Sequence, residues 1–319
     1  MPFLSLGKEA PKGTRPIAIV RGGDDDGDIL YLHEDDSTKG KRPKKEVDAL
    51  KYEKELKEMK PTHRIQVFNR IKEAIAKGIP PEKMVGETEQ IRTLYKRIQN
   101  DQERDTSLRI PDDSTFQLIP SPDPTKREIW YIAGASGSGK SYIARQLAEG
   151  YKKLFPSRDV YLISKLNEDS TLDTMKVGKP KRISIQSLVD DYPSVDEFRD
   201  CMVIFDDYDT FQGAEGKTVQ TLIDDLAIQG RHTNTTMLCL THYITNYKKT
   251  RLLLNEATHF VIYPQATSYH ALKYLLATHI GMDQDQIKEL RKLGRWISVS
   301  KNYPQYLVSQ HYAKVLHQE

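Results

Sequence analysis

From Glu128 onward the chain alternates short apolar runs with stretches whose apolar residues recur at helical spacing. The runs Glu128–Ala133, Asp159–Ser164, Cys201–Phe205, Thr236–Leu240 and Thr258–Tyr263 are rich in β-branched and aromatic residues and short enough to be buried strands. Between and after them, Tyr142–Leu154, the short Val195–Arg199, Thr218–Gln229, Tyr269–Ile280 and Asp285–Leu293 have helical patterns, with Leu222, Ile223 and Leu226 on one face. Strand and helix in alternation predict an α/β domain over 128–319.

Before that point the pattern changes. Residues 1–127 are dominated by charge and broken by Pro and Gly, and the shift near Ser121-Pro122-Asp123-Pro124 marks the expected boundary of an N-terminal appendage. Within it, Pro16–Val20 and Ile29–Leu32 flank the acidic turn Gly22–Gly27 and predict a small hairpin. The acidic cluster lacks the spaced ligands and closing Glu of a calcium loop and is taken as a solvated turn. Lys44–Glu103 has helical character interrupted at Pro61 and at Gly78-Ile79-Pro80-Pro81, giving three helical pieces. In the middle piece Ile65, Phe68, Ile71 and Ile75 form the expected packing face, and Lys96, Arg97 and Arg104 offer a charged surface to solvent, a neighbouring subunit or DNA.

Composition narrows the class. The chain has 319 residues, 38% of them hydrophobic and 29% charged, with no apolar run near the roughly 18 residues of a membrane span. Met1–Lys8 lacks a basic leader and apolar core, so the expectation is a soluble protein without a signal peptide, inside a cell or a virus particle. Cys201 and Cys239 each adjoin or lie in an apolar run and are expected as buried free thiols. A net charge of +3 does not identify a nucleic-acid partner.

The chemistry enters at Gly134-Ala135-Ser136-Gly137-Ser138-Gly139-Lys140-Ser141, which fits G-x-x-x-x-G-K-[ST], the Walker A phosphate loop, and stands between an expected strand and the helix opening near Tyr142. Glycines there let successive backbone N–H groups turn toward phosphate oxygens at the positive end of the helix. Lys140 would reach the β- and γ-phosphates of ATP, and the Ser141 hydroxyl would bind Mg2+. The run Met202–Phe205 closes on Asp206 and Asp207, as a Walker B strand does: Asp206 would hold the magnesium shell and Asp207 would orient the attacking water. Asp207 is shorter than a Glu and must sit closer to that water.

In the order and spacing of Gly134–Ser141, Ile204–Asp207, Gly230-Arg231-His232 and the strand ending Leu240-Thr241-His242, the chain resembles the FtsK-HerA superfamily of hexameric DNA pumps. Within it the resemblance is to the DNA-packaging ATPases of poxviruses and other nucleocytoplasmic large DNA viruses. Arg295–Ser300 and Tyr306–Val308 also look like that group, and the likeness spans roughly residues 128 to 312. It implies a P-loop NTPase core, a mostly parallel central sheet flanked by helices, with the strand ending at Thr241-His242 between the Gly134 and Asp206 strands. Polar groups at that strand's tip would face the γ-phosphate; the family commonly has Gln or Asn there, so His242 departs from it, as a sensor or as a histidine of the core rim. Arg231 matches the family arginine that reaches a neighbour's γ-phosphate, while a helix-end arginine satisfying carbonyls is the plainer reading. Arg251, within Lys248-Lys249-Thr250-Arg251, is a second candidate, and that basic run could instead face DNA phosphates.

The resemblance thus implies an ATP-driven translocase of double-stranded DNA without sequence preference, acting as a homo-oligomeric ring. Capsid or portal proteins would be partners, in the host cytoplasm or the virion. A small-molecule or nucleotide kinase shares the phosphate loop, but Lys176–Arg182 is too short and too marked by Gly and Pro for an arginine-rich lid. An ATP-binding scaffold without turnover is a third class, which the intact acid pair disfavours. Tyr269, Tyr274, Tyr303, Tyr306 and Tyr312 are taken as packing residues before base-stacking ones.

Overall fold

The structure, a computed structural model, describes residues 2–34, 61–76, 79, 83, 88–245 and 247–316. The chain divides into two compact units, one of residues 35–107 and one joining 2–34 to 108–319.

The smaller unit contains α1 (Pro61–Ala76) and α2 (Glu89–Thr106). Proline opens α1, where its missing N–H is no loss. The expected helical piece before Pro61 lies outside the described residues. Val67, Phe68, Ile71 and Ala74 of α1 meet Ile91, Leu94, Tyr95 and Ile98 of α2 in one apolar cluster. Ile65, expected on that face, is 64% exposed. Six residues before Ile71 places it about 120° around the helix, off the buried stripe. Nothing is described of the Ile75 side chain.

The larger unit holds two sheets. The expected hairpin is β2 (Thr14–Arg21) with β3 (Ile29–His33), and the acidic turn between them is exposed or half-buried. With β1 (Phe3–Gly7) and β5 (Thr115–Leu118) it makes an antiparallel sheet in the order β1-β3-β2-β5. This places residues 2–34 with the α/β core, whereas the compositional break near 128 groups them with the helices. The reason is apolar: Val20, Leu30, Leu32, Phe116 and Leu118 share one buried cluster with Trp130, Ile143 and Leu147.

The second sheet carries the site. Its strands are β4 (Ser107–Arg109), β6 (Ile129–Ala133), β7 (Val160–Ser164), β8 (Lys181–Arg182), β9 (Met202–Asp206), β10 (Thr236–Thr241), β11 (His259–Ile262), β12 (Ile297–Ser300), β13 (Tyr306–Ser309) and β14 (Tyr312–Val315). They lie in the order β4-β14-β13-β12-β11-β6-β10-β9-β7-β8. From β11 to β8 neighbours are parallel, and β12 to β14 extend the sheet antiparallel from β11. β10 lies between β6 and β9, as the resemblance implies. Parallel strands covered on both faces read as continuous apolar runs, and β6, β9, β10 and β11 are buried throughout. The connecting helices are α3 (Lys140–Leu154), α4 (Ile185–Asp190), α5 (Gly213–Gln229), α6 (Tyr247–Glu256), α7 (Tyr269–His279) and α8 (Gln284–Leu290). Cys201 and Cys239 are buried and free, and no described helix is long and apolar enough to cross a membrane.

Candidate phosphate-binding site

Three parallel strands end side by side. Thr241 of β10 pairs with Ala133 of β6, and Asp206 closes β9 on β10's other side, so Gly134, Asp206 and His242 leave the sheet along one edge. The phosphate loop begins there, with Gly134 N–H donating to the Thr241 carbonyl at 3.0 Å. Two of its glycines are required by space and by backbone. A Cβ on Gly134 would stand 2.5 Å from the Tyr263 ring, and Gly139, the residue before α3, holds φ at +111°. α3 then starts at Lys140, with its N-terminal N–H groups aimed into the loop.

Lys140 is buried. Its ammonium donates to the Gly134 carbonyl at 3.0 Å and lies 3.4 Å from Asp207 Oδ1, so the loop and the second motif meet at one cation. Asp206 is 3% exposed and accepts from the Ser164 hydroxyl at 2.9 Å. Burial, with the Asp207 charge beside it, pushes its carboxyl up to about 6, against the opposing pull of Ser164 and Lys140. Asp207 takes a left-handed backbone, φ 43° and ψ 43°, which an L-residue adopts at a cost. Its carbonyl accepts from the Thr210 N–H and hydroxyl, at 3.0 and 2.8 Å, and so starts a short helical turn over Tyr208–Thr210.

That turn presents Asp209 to the tip of β10. The His242 N–H donates to Asp209 Oδ2 at 3.1 Å, and the imidazole sits between two carboxylates, Nδ1 3.4 Å from Asp209 Oδ1 and Nε2 3.6 Å from Asp207 Oδ2. His242 is therefore at the site and not in the core. Ser141 and Tyr142 follow Lys140 in the first turn of α3; Ser141 is half-buried and Tyr142 is 60% exposed.

Arg231 is elsewhere. It follows the end of α5 and precedes β10 by five positions, at the edge where the parallel strands begin, and its exposed side chain reaches His232. The same α5 end is satisfied by Arg127, whose guanidinium donates to the Leu226 and Ala227 carbonyls at 2.7 and 2.6 Å. The arginine that the fold brings to the phosphate loop is Arg295, donating to the Ser138 carbonyl through Nε and to the Gly137 carbonyl through Nη2, both at 3.0 Å. Ala135–Ser138, Tyr263 and Arg295 line a cleft of about 350 Å³ on the loop's outer side. Arg295, Tyr263, Ser164 and Asp209 have no short-range signature of a site: Ser164 and Tyr263 close runs that read only as strands, Arg295 lies in a family-like stretch, and Asp209 lies in none.

The residues present suit a nucleoside triphosphate with a hard divalent cation. The Ser138 hydroxyl is buried in the loop with no hydrogen-bond partner among the described residues, Gly134 and Gly139 leave the backbone approachable, and Ser141 with Asp206 offers oxygen donors of the kind Mg2+ prefers.

No protein-family profile matches the chain. Among solved structures, it is similar to the genome-packaging NTPase B204 of Sulfolobus turreted icosahedral virus 2 in complex with AMPPCP. That match has 12% identity and a TM-score of 0.40, covering 61% of this chain and 100% of that one. It is also similar to the cytoplasmic domain of the Thermomonospora curvata type VII secretion ATPase EccC, with 14% identity and a TM-score of 0.42, covering 60% of this chain and 26% of that one. The fold is that of a P-loop NTPase by its own strand order and loop geometry. At 34% identity over 204 residues, 63% of this chain and 82% of its relative, the chain belongs to the same family as "Uncharacterized protein V3" of Sputnik virophage.

Proposed function

We propose that this protein hydrolyses ATP with Mg2+ to drive double-stranded DNA, as a homo-oligomeric ring that packages a viral genome. The observation carrying the reading is the convergence of Lys140, at the start of α3, on Asp206 and Asp207, at the end of β9, with Lys140 Nζ 3.4 Å from Asp207 Oδ1. A phosphate loop alone would bind nucleotide; a second carboxylate beside the lysine supplies the group that orients water. The DNA substrate, the ring and capsid or portal partners rest on the motif resemblance, and the virophage relative supports the viral setting.

In this mechanism the loop N–H groups and Lys140 bind the β- and γ-phosphates and stabilise charge on the leaving oxygen. Ser141 and Asp206 would hold Mg2+, which supplies charge neutralisation across the phosphates. Asp207 orients water for in-line attack on the γ-phosphorus. Arg231, remote from its own chain's loop, is suited to act only on a neighbour's nucleotide, making turnover depend on assembly. Steady-state phosphate release with and without long double-stranded DNA tests the proposal. DNA stimulation, with Arg231→Ala rescued by mixing in Lys140→Ala subunits, is the expected result. Turnover indifferent to DNA at every salt and protein concentration refutes the translocase and favours a phosphate-acceptor screen for a kinase.

A further inference from the structure

The hydrolysis just described leaves one buried carboxylate unused. The Asp209 side chain is 6% exposed, one of its oxygens accepts the His242 backbone N–H, and the other, Oδ1, has no hydrogen-bond partner among the described residues while facing His242 Nδ1 at 3.4 Å. A carboxylate only accepts, and of the two that flank the ring Asp209 is the nearer, so the one ring hydrogen of a neutral imidazole falls on Nδ1. In the neutral imidazole Nε2 is then an acceptor, and it stands 3.6 Å from a second acceptor, Asp207 Oδ2. Two acceptors side by side do not satisfy each other. They match the two O–H groups of one water molecule, whose lone pair is then turned away from both.

We infer that Asp209 is a positioning residue that fixes the His242 ring so that His242 Nε2 and Asp207 Oδ2 together hold the attacking water. The inference rests on the proposed ATP hydrolysis and deepens it, giving His242 a hold on water in place of the γ-phosphate contact expected of a Gln or Asn. Asp209 acts through His242 and touches no reacting atom. Backbone and ring are gripped by the same carboxylate, so the ring's azimuth is set by the turn that the left-handed Asp207 begins. The balance of the step is that of hydrolysis: the water oxygen bonds to the γ-phosphorus as one of its protons passes to Asp207 Oδ2, and the bond to the bridging oxygen breaks with its electron pair leaving on ADP.

The test is a double-variant cycle on the full-length protein, using Asp209→Asn, His242→Gln and the pair, with ATP turnover and binding of a fluorescent ATP analogue measured on each. Asp209→Asn is nearly isosteric, and a melting curve verifies that it folds. The expected result is a fall in kcat of about tenfold to a hundredfold with KM and analogue affinity within about twofold. Asp209→Glu recovers part of it, and Asp209→Asn adds less than about twofold when His242 is already Gln. Losses that multiply in the pair, or that appear in analogue affinity, overturn the inference while the ATPase stands. Absence of turnover in the unmodified protein removes the ATPase reading and this inference with it. The three groups also lie within 4.8 Å of one another, so Mn2+ or Zn2+ binding without nucleotide, abolished by His242→Gln, would make them a metal site and overturn the water-holding role.

Discussion

The two ends of β6 both bury ionisable groups, and they treat them oppositely. At its start, the Glu128 carboxylate accepts from the Ser121 N–H at 3.1 Å and from the Trp130 indole at 3.2 Å. Beside it His259 stacks on Trp130 with ring centroids 3.9 Å apart, and its two nitrogens meet the Thr258 and Tyr306 hydroxyls at 2.9 and 3.2 Å. At the far end, Ser138 Oγ, Asp207 Oδ1 and Asp209 Oδ1 are buried without a hydrogen-bond partner among the described residues, Asp207 Oδ1 having the Lys140 ammonium 3.4 Å away. A polar network that is closed on itself contributes rigidity, whereas one left open stores affinity for something else. Unpartnered atoms alone do not mark the site, since Ser300 Oγ, on the residue paired with His259, is also buried without a partner among the described residues; what sets the far end apart is that two of its unpartnered atoms are carboxylate oxygens, one of them beside a buried lysine.

The sharpest way to break the comparison is at the open end. Lys140→Ala is expected to lower kcat by about 10²- to 10³-fold, the cost of one preorganised donor at developing charge, with little change in melting temperature. Equal losses in rate and stability would make Lys140 a structural residue. At the closed end the expected pattern inverts. Arg127→Ala leaves the α5 carbonyls of Leu226 and Ala227 without their cation and should cost about 1.5–3 kcal/mol in denaturant unfolding, with turnover unchanged within twofold.

The pH dependence of unfolding sharpens it further. Burial holds His259 at about 3, below the ordinary 6.5, so between those values the unfolded chain binds more protons and stability falls as pH falls. The slope is at most about 1.4 kcal/mol per pH unit, or about 2 kcal/mol between pH 6.5 and 5. Glu128 opposes it: burial raises its carboxyl, the native state takes up the proton first, and that contribution is lost as pH rises. Glu128→Gln should therefore steepen the loss of stability on acidification, and a shallower slope would refute the assignment. The smallest effect is expected at the loop's outer side, where Arg295→Ala removes two bonds to loop carbonyls and should weaken nucleotide binding about tenfold, or 1.4 kcal/mol, read by titration of an ATP analogue.

Gly134–Ser141 and the Asp206-Asp207 pair were legible because each is a contiguous run whose spacing carries its own geometry. The place of β10 between β6 and β9 followed from family likeness, since periodicity says nothing of strand order. Arg295 was not legible: its partners Ser138 and Gly137 are 157 and 158 positions away, and no local pattern connects them. Asp209 was passed over because two acids before it satisfied the motif, and only the turn after Asp207 brings it beneath His242. Composition groups residues 2–34 with the charged segment that follows because it averages over both, while their apolar strands pack with the core. On α1 the spacing of large apolar residues points to Ile65, whereas the buried face takes the smaller Val67 and Ala74, because angle around the helix and not side-chain size decides burial.

The strand order of the smaller sheet has a consequence for synthesis. β2 is central, yet its partner β5 is encoded far downstream, with Arg21 and Gln117 joined across 96 positions. A nascent chain leaving the ribosome can pair β1, β2 and β3 at once, but one rim of β2 stays uncovered until the downstream strand has been translated. Closure of that sheet therefore waits until the intervening segment has been made, and precedes synthesis of β6 and the strands after it. Because Phe116 and Leu118 of that strand share an apolar cluster with Ile143 and Leu147 of α3, the completed sheet can receive the helix that begins at Lys140 as soon as it emerges.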